Sequence, residues 1–558
     1  NGCFIEHEVD ISGYWIDGDH FHLGGIRIGE NARVGARSMV LGGTRIGDDA
    51  EIAPGSAVFG EVPAGQYWSG APAERAAKHT RGPWNDSVPH NRPAWILAYG
   101  ASSLLISVLP VAAIAAGVAV ARPALAKAET LRHAFDTALI WTPVGTVVAL
   151  ATLAGLVAVL VRALSLGLEP GHHPVHGRVA WQAWSTLRVL DEARTWLFPL
   201  YASSLTPSWL RLLGAEVGRD VEASTVLLIP SLTEIREGAF LADDTLLGGY
   251  ELGGGWLRID RVRVGKHAFV GNSGMAAPGR KVPRSGLVAV LSAAPRRADA
   301  KAGTSWIGSP PTKLRRSADD VDQSRTYHPA TRLRVARALV ELARLLPVMA
   351  VTVLWIGVLA LFAALVTAWS WWGAAAVGGP VLMLAGLVAA TVATAAKWAL
   401  VGRLRPGTHP LWSSMVWRNE LADTFVEMLA APWFARPSTG TWIFTVWLRS
   451  LGARVGRGVW CDSYWLPEAD LIELEDGATV NQGCVVQTHL FHDRMLQLDR
   501  VSLRRGATLG PNSVILPAAT LGRHSTVGPV SLVMRGEAVP DKTRWIGNPI
   551  GPWVEPDE

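Results

Sequence analysis

Cysteine is nearly missing. The chain has three in 558 residues, Cys3, Cys461 and Cys484, too few and too scattered for a disulfide framework or a zinc site. Charge is scarce too: Asp, Glu, Lys and Arg make up 18% of the chain, against roughly 25% in soluble globular proteins. The shortfall lies in four apolar stretches, 94–121, 137–161, 345–366 and 374–400. Each approaches or exceeds the roughly 20 residues that cross a bilayer as a helix. A strong excess of one sign is also missing. The net charge of +5 is modest and partly sits beside the apolar stretches, so no nucleic-acid surface is read into it. The chain opens without methionine or a signal peptide, inside a repeat, and Asn1 is therefore expected to be internal to a longer polypeptide.

What is present is a period. Between residues 26 and 59 aliphatic side chains fall at Ile28, Val34, Val40, Ile46, Ile52 and Val58, six residues apart. From Val34 on, a small residue stands two before each: Ala32, Ser38, Thr44, Ala50 and Ser56. Neither a helix nor a simple strand has this period. A hexapeptide repeat is the signature of a parallel β-helix, in which the aliphatic fills the inside of the coil and the small residue fits where the backbone turns a corner. The left-handed form, which departs from the usual right-handed crossover, is expected. Two further copies follow. Leu503, Leu509, Ile515, Leu521, Val527 and Val533 keep the period strictly, whereas Val217 to Leu247 and Val264 to Val288 keep it with an interruption. Each copy closes on a similar phrase, Trp68-Ser-Gly-Ala-Pro72, Trp306-Ile-Gly-Ser-Pro310 and Trp545-Ile-Gly-Asn-Pro549, which reads as a cap on the last coil.

The expected fold is a mixed membrane protein in which three tandem left-handed parallel β-helix units alternate with transmembrane α-helical hairpins. Its parts are a first, N-terminally truncated unit (1–78), a hairpin (94–161), a juxtamembrane helix with the second unit (170–320), a second hairpin (345–400), and a juxtamembrane helix with the third unit (406–558). Asn1-Gly-Cys3 resembles the run Asn481-Gln-Gly-Cys484, and residues 79–92 link the first unit to the membrane. Because each hairpin crosses and returns, all three units share one side of the bilayer. Arg332, Arg334, Arg337 and Arg344 precede the third span, Lys397, Arg403 and Arg405 end the fourth, and the turn between them is uncharged. The positive-inside rule then places the units in the cytoplasm and the protein, multi-pass, in the plasma membrane. The Trp-rich stretches 179–201 and 412–434 read as interfacial anchors.

The candidate chemistry lies in an insertion inside each copy. The third holds Val486-Gln-Thr-His489-Leu-Phe-His492-Asp493-Arg494; the first holds His7, Asp10, Asp17, Asp19, His20 and His22; the second is glycine-rich and has no histidine. A histidine on a projecting loop can take the proton of an amine attacking a thioester, because it titrates near neutrality, and a nearby aspartate can fix its tautomer. The candidate catalytic residues are His489, His492, Asp493, His7 and His22. No complete metal-ligand set is seen. Cys484 adjoins an inward-facing strand pattern and reads as buried and inert, and the loop with Arg296, Arg297 and Lys301 reads as solvated.

Hexapeptide coils with a histidine loop resemble the trimeric acyl- and acetyltransferases of that fold. Three such units alternating with membrane hairpins resemble, over the whole chain, the membrane-bound C-terminal region of single-module non-ribosomal peptide synthetases of the epsilon-poly-L-lysine type. That resemblance implies iterative amide-bond formation between a carrier-bound aminoacyl thioester and a free or growing amino-acid homopolymer, with lysine expected. It implies adenylation and carrier domains of the same polypeptide as partners, 4′-phosphopantetheine on the carrier, no cofactor within this region, the lipid bilayer, and either a homo-oligomer or an internal pseudo-trimer. His489 or His492 would take the proton and Asp493 would orient it, while backbone amides would stabilise the oxyanion. A coenzyme A-dependent acetyltransferase and a non-catalytic scaffold or export region are the alternatives.

Overall fold

The hexapeptide spacing becomes a coil because each short strand pairs with the residue eighteen positions on, three hexapeptides later. In a computed structural model describing residues 2–77, 84, 89, 93–315, 325–327 and 329–553, Arg27 pairs with Arg45, Arg33 with Glu51 and Met39 with Ala57. In the third body Ser502 pairs with Thr520, Thr508 with Thr526 and Val514 with Leu532. All these ladders are parallel, and three sheets wrap each body into a prism. Val34, Val40, Ile52, Val58, Leu509, Ile515 and Val527 are fully enclosed, as are the small residues Ala32, Thr44, Ala50, Ser56, Ala507, Ser513 and Ser525. A larger residue at the small positions would overfill the corner. Three residues after each aliphatic the chain enters the left-handed region, at Asn31, Arg37, Gly43, Asp49 and Gly55 and again at Asn512, Ala518, His524, Val530 and Gly536. The coil imposes this corner even on Val530, a β-branched residue for which positive φ is strained.

The same coil is lengthened in all three bodies. Ile5 pairs with Val34, Leu241 with Val270 and Val480 with Leu509, each across twenty-nine residues instead of eighteen. The extra length folds as an antiparallel hairpin: Tyr14–Asp17 with His20–Leu23, Glu251–Gly253 with Trp256–Ile259, and His489–His492 with Met495–Leu498. This register corrects the resemblance read between Asn1-Gly-Cys3 and Asn481-Gln-Gly-Cys484. Phe4-Ile5 occupies the place of Thr479-Val480, so Cys3 corresponds to Ala478, and Asn1 lies outside the described residues.

Four helices, Pro93–Leu125, Leu131–Leu164, Leu345–Ala368 and Gly378–Leu400, carry the apolar stretches and are long and apolar enough to cross a membrane. The fourth stretch is broken, since a short helix, Trp371–Ala376, precedes the long one. Trp369, Trp371 and Trp372 are exposed at that turn, where an aromatic belt belongs. The Trp-rich helices turn several indoles into the protein. Trp181 donates to Ser102 Oγ (2.8 Å), Trp184 stacks edge-on against Tyr99, and Trp417 is buried and donates to Leu411 O. These three indoles lie in the seam between the apolar helices and the coils, whereas Trp196 is exposed. The basic residues flanking the spans are also committed to that seam. Arg337 bonds Glu222 and Glu341, Arg344 bonds Glu420 (2.7 Å), and Lys397 pairs with Asp470 (2.7 Å).

The three bodies close on one another. The first hairpin lies on the third body, where Asn481 Oδ1 accepts from Ile16 N and Thr508 Oγ1 from Gly18 N. The second hairpin lies on the first body, where Glu6 Oε1 accepts from Leu252 N (2.8 Å). The third lies on the second body, with Phe491 against Phe240 (5.2 Å) and Arg494 bonded to the carbonyls of Asp220 and Gly238. Ile16, Leu252 and Phe491 are equivalent positions, so the packing is cyclic. The closing phrases meet as well: Asn548 Nδ2 donates to Leu291 O, Ser309 Oγ to Pro54 O, and a Cβ on Gly308 would strike Asn548 O. They cap each coil and also join the ring.

Candidate active site

Because side chains alternate along a strand, His489 and His492 leave the third hairpin on opposite faces. The structure therefore separates the residues that the sequence grouped. His492 lies 3.1 Å from Asp493, whereas His489 Nδ1 lies 2.8 Å from the carboxylate of Glu468, twenty-one residues upstream. Asp493 does not orient His489. It sits with Arg494 at the two-residue turn, both at positive φ, the geometry that twisted hairpins favour.

Glu468 precedes a single 3-10 turn, Ala469–Leu471, and its own backbone is left-handed at φ 45°. Such strain in a non-glycine residue persists only where the surroundings hold it. Here they do: Thr488 Oγ1 and Asn419 Nδ2 both donate to the carboxylate, which is 2% exposed. Burial alone would lower the His489 pKa, but the Glu468 charge overcomes it and raises the imidazole to about 9; Asp243 and Asp423 add to the effect. Reciprocally, His489 holds Glu468 below the usual carboxylate range against the opposing effect of burial. With Nδ1–H committed to Glu468, Nε2 is the atom left for chemistry.

The cleft around this pair is acidic. Asp243 comes from the second body, while Asp423 and Glu427 come from the helix Ser414–Phe425 and the π-helical turn Val426–Ala435 that follows it. Asp423 and Asp243 stay open to solvent, so the cleft admits water. Burial raises Glu427 to about 7 despite Arg436 and Tyr464. The π-helical turn packs against both spans of the second hairpin, which sets the cleft directly over the apolar helices.

The other two clefts lack this chemistry. His489 stands opposite Leu498; its place is taken by Tyr14, opposite Leu23, in the first hairpin and by Tyr250, the residue just before Glu251–Gly253, in the second. The position of Glu468, just before the 3-10 turn, is Ile229 in the second body. His7 lies 3.3 Å from Glu8 within an ion network of Arg37, Arg194 and Asp244 that joins the first and second bodies. His22 stacks on Trp15 (4.8 Å) on a hairpin that faces the third body. His7 and His22 thus belong to different interfaces, and neither joins the His489 cleft. His7, Glu8 and Asp191 come close enough to share an ion, but Arg37 and Arg194 already neutralise Glu8. The glycines of the second hairpin admit a side chain: a Cβ on Gly253 would run into the Trp84 indole, so that backbone is approached by the linker. Cys484 is buried, its thiol pushed up by desolvation.

Coils of this kind, three to a chain and seated over four apolar helices, define a β-helix protein of the hexapeptide class. Residues 25–60 match the bacterial transferase hexapeptide (six repeats) family. A relative of wider extent is delta-poly-L-ornithine synthetase of Acinetobacter baumannii, 28% identical over 575 residues. The match covers 99% of this chain and 43% of that protein, so the chain spans less than half of its relative. Among solved structures, an N-acyltransferase from Bacillus cereus in complex with dTDP and coenzyme A matches 62% of this chain and 87% of its own. Its identity is 9% and its TM-score 0.14, values that carry no argument.

Proposed function

We propose that this chain is the amide-forming region of a membrane-bound synthetase that joins a basic amino acid, ornithine or lysine, into a homopolymer from a carrier-bound aminoacyl thioester. The supporting observation is the His489–Glu468 pair in an acid-lined cleft. The partners are then the carrier and adenylation domains of the same polypeptide, and the phosphopantetheine arm arrives with the substrate. The coils face the cytoplasm, where thioesters are made.

A cationic amine entering beside Asp243, Asp423 and Glu427 finds the charge it needs. Its own positive charge then repels the proton of His489, lowering the imidazole pKa at the moment a base is required. The nucleophile is the substrate's second amino group, in its neutral form: Nε2 takes its proton as that nitrogen bonds to the thioester carbonyl. Glu468 stabilises the imidazolium; the carbon–sulfur bond breaks, and the departing thiolate takes that proton to leave as a thiol. The coenzyme A alternative fits less well, because a cluster of phosphates would face the same carboxylates.

The test is a pH–rate profile. In membranes carrying the full polypeptide, kcat/KM for amide formation should rise with an inflection near the raised His489 pKa of about 9. Glu468→Gln should move that inflection down toward the ordinary histidine value, with a loss of rate on the order of 10- to 1,000-fold. An unmoved inflection would remove His489 from the reaction.

A further inference from the structure

Outside the cleft, the second body carries a surface cavity of about 670 Å³ lined by Arg211, Arg219, Arg236, Lys266, Glu237 and the turn Val217-Gly218. We propose that this cavity holds the phosphate of an anionic membrane phospholipid and so fixes the second body on the bilayer surface. Three observations lead there.

The first is position. Arg162, in the last turn of the second apolar helix, donates to Leu212 O (2.7 Å) and Arg211 O. The wall of the cavity is therefore bonded directly to the end of a span, at the level where headgroups lie. Leu205 and Leu212, beside that wall, expose 59% and 56% of their surface, as suits side chains that meet acyl chains.

The second is charge. Four cations line the cavity with Glu237, and Glu234 stands against one of them. Lys266 is paired with Glu237 (2.8 Å) and Arg236 with Glu234, but Arg219 has no ion-pair partner among the described residues. Arg211 is rigid, because its guanidinium donates to Val217 O (2.9 Å) and Gly218 O (2.6 Å).

The third is an internal comparison. The third body has the same cavity at the same place, with Arg449 bonded to Val455 O and Gly456 O and Trp398 of the fourth span bonded to Ser450 O. Its lining sets Arg449, Arg454 and Arg505 against Glu473, Glu475 and Asp476, so it carries no excess charge. Glu475 stands where the second body has Arg236. The opposite exchange, Arg454 for Glu216, does not offset this in the second body, because Glu216 does not line its cavity; the excess of cations in the lining is confined to the second body.

The experiment uses the whole chain in detergent and reads bound ligand by native mass spectrometry, so it does not depend on activity. Short-chain phosphatidylglycerol, short-chain phosphatidylcholine and inorganic phosphate are titrated against wild type, Arg236→Glu, Arg219→Ala and Arg505→Glu. Phosphatidylglycerol should bind in preference to both other ligands. Arg236→Glu should weaken it by on the order of tenfold, Arg219→Ala by less, and Arg505→Glu not at all. Equal binding of phosphatidylcholine, stronger binding of free phosphate, or an unchanged Arg236→Glu would overturn the proposal. Circular dichroism of each variant separates misfolding from loss of the site.

Discussion

Glu468 ties a strained turn to an imidazole that arrives on a hairpin twenty-one residues later. Because the folded His489 pKa lies above its ordinary value of 6.5, the pair's stabilisation is whole below pH 6.5 and is lost as pH rises through about 9. Glu468, held low, adds a loss only in acid. Thermal unfolding of wild type against His489→Gln should therefore show a gap of about 2–3 kcal/mol near pH 6 that shrinks toward pH 10. A gap independent of pH would mean the imidazole is neutral in the fold. His489 was legible in the sequence as a histidine on a projecting insertion. Its partner was not. The nearest acid in the chain, Asp493, is drawn away because strand alternation and the turn place it with His492, and the acid that matters reaches the site through the coil below.

At the scale of elements, the repeat announced itself wherever one residue type must fill one kind of space. Ser38, Ala50, Ala507 and Ser525 are small because the corner admits nothing larger. The four long apolar helices were equally plain. What composition could not show is that Arg337, Arg344 and Lys397, which look like membrane-flanking charges, are partners of Glu222, Glu420 and Asp470. Ion pairing between distant segments leaves no period to read. Lys397 and Asp470 are 8% and 3% exposed, so removing one strands the other. Asp470→Ala should cost about 3–5 kcal/mol, while Asp470→Leu combined with Lys397→Met should recover most of it. Chemical unfolding in detergent decides this, and an additive double variant would contradict the pairing.

The whole molecule is a ring made from one chain. Three copies were countable in the sequence, and so was the chance of an internal pseudo-trimer; the closure itself was not, because it runs through single contacts such as Glu6 with Leu252 and Asn481 with Ile16. Tethering has let the clefts diverge, with Tyr14 and Tyr250 where the third hairpin has His489. Gly308 sits at φ 89° with Asn548 O against the space of its missing Cβ. Gly308→Ala should destabilise the meeting of the closing phrases by about 1–3 kcal/mol, seen as faster hydrogen exchange in all three caps. Exchange confined to the second body would contradict a shared junction. The central claim, that one cleft forms the bond, is tested most directly by following the amino acid loaded on the carrier in membranes of wild type, His489→Ala and His492→Ala. The account predicts that loading persists in all three, that His489→Ala leaves the aminoacyl group on the carrier without chain formation, and that His492→Ala polymerises close to the wild-type rate. Polymer formation at the wild-type rate in His489→Ala would contradict it.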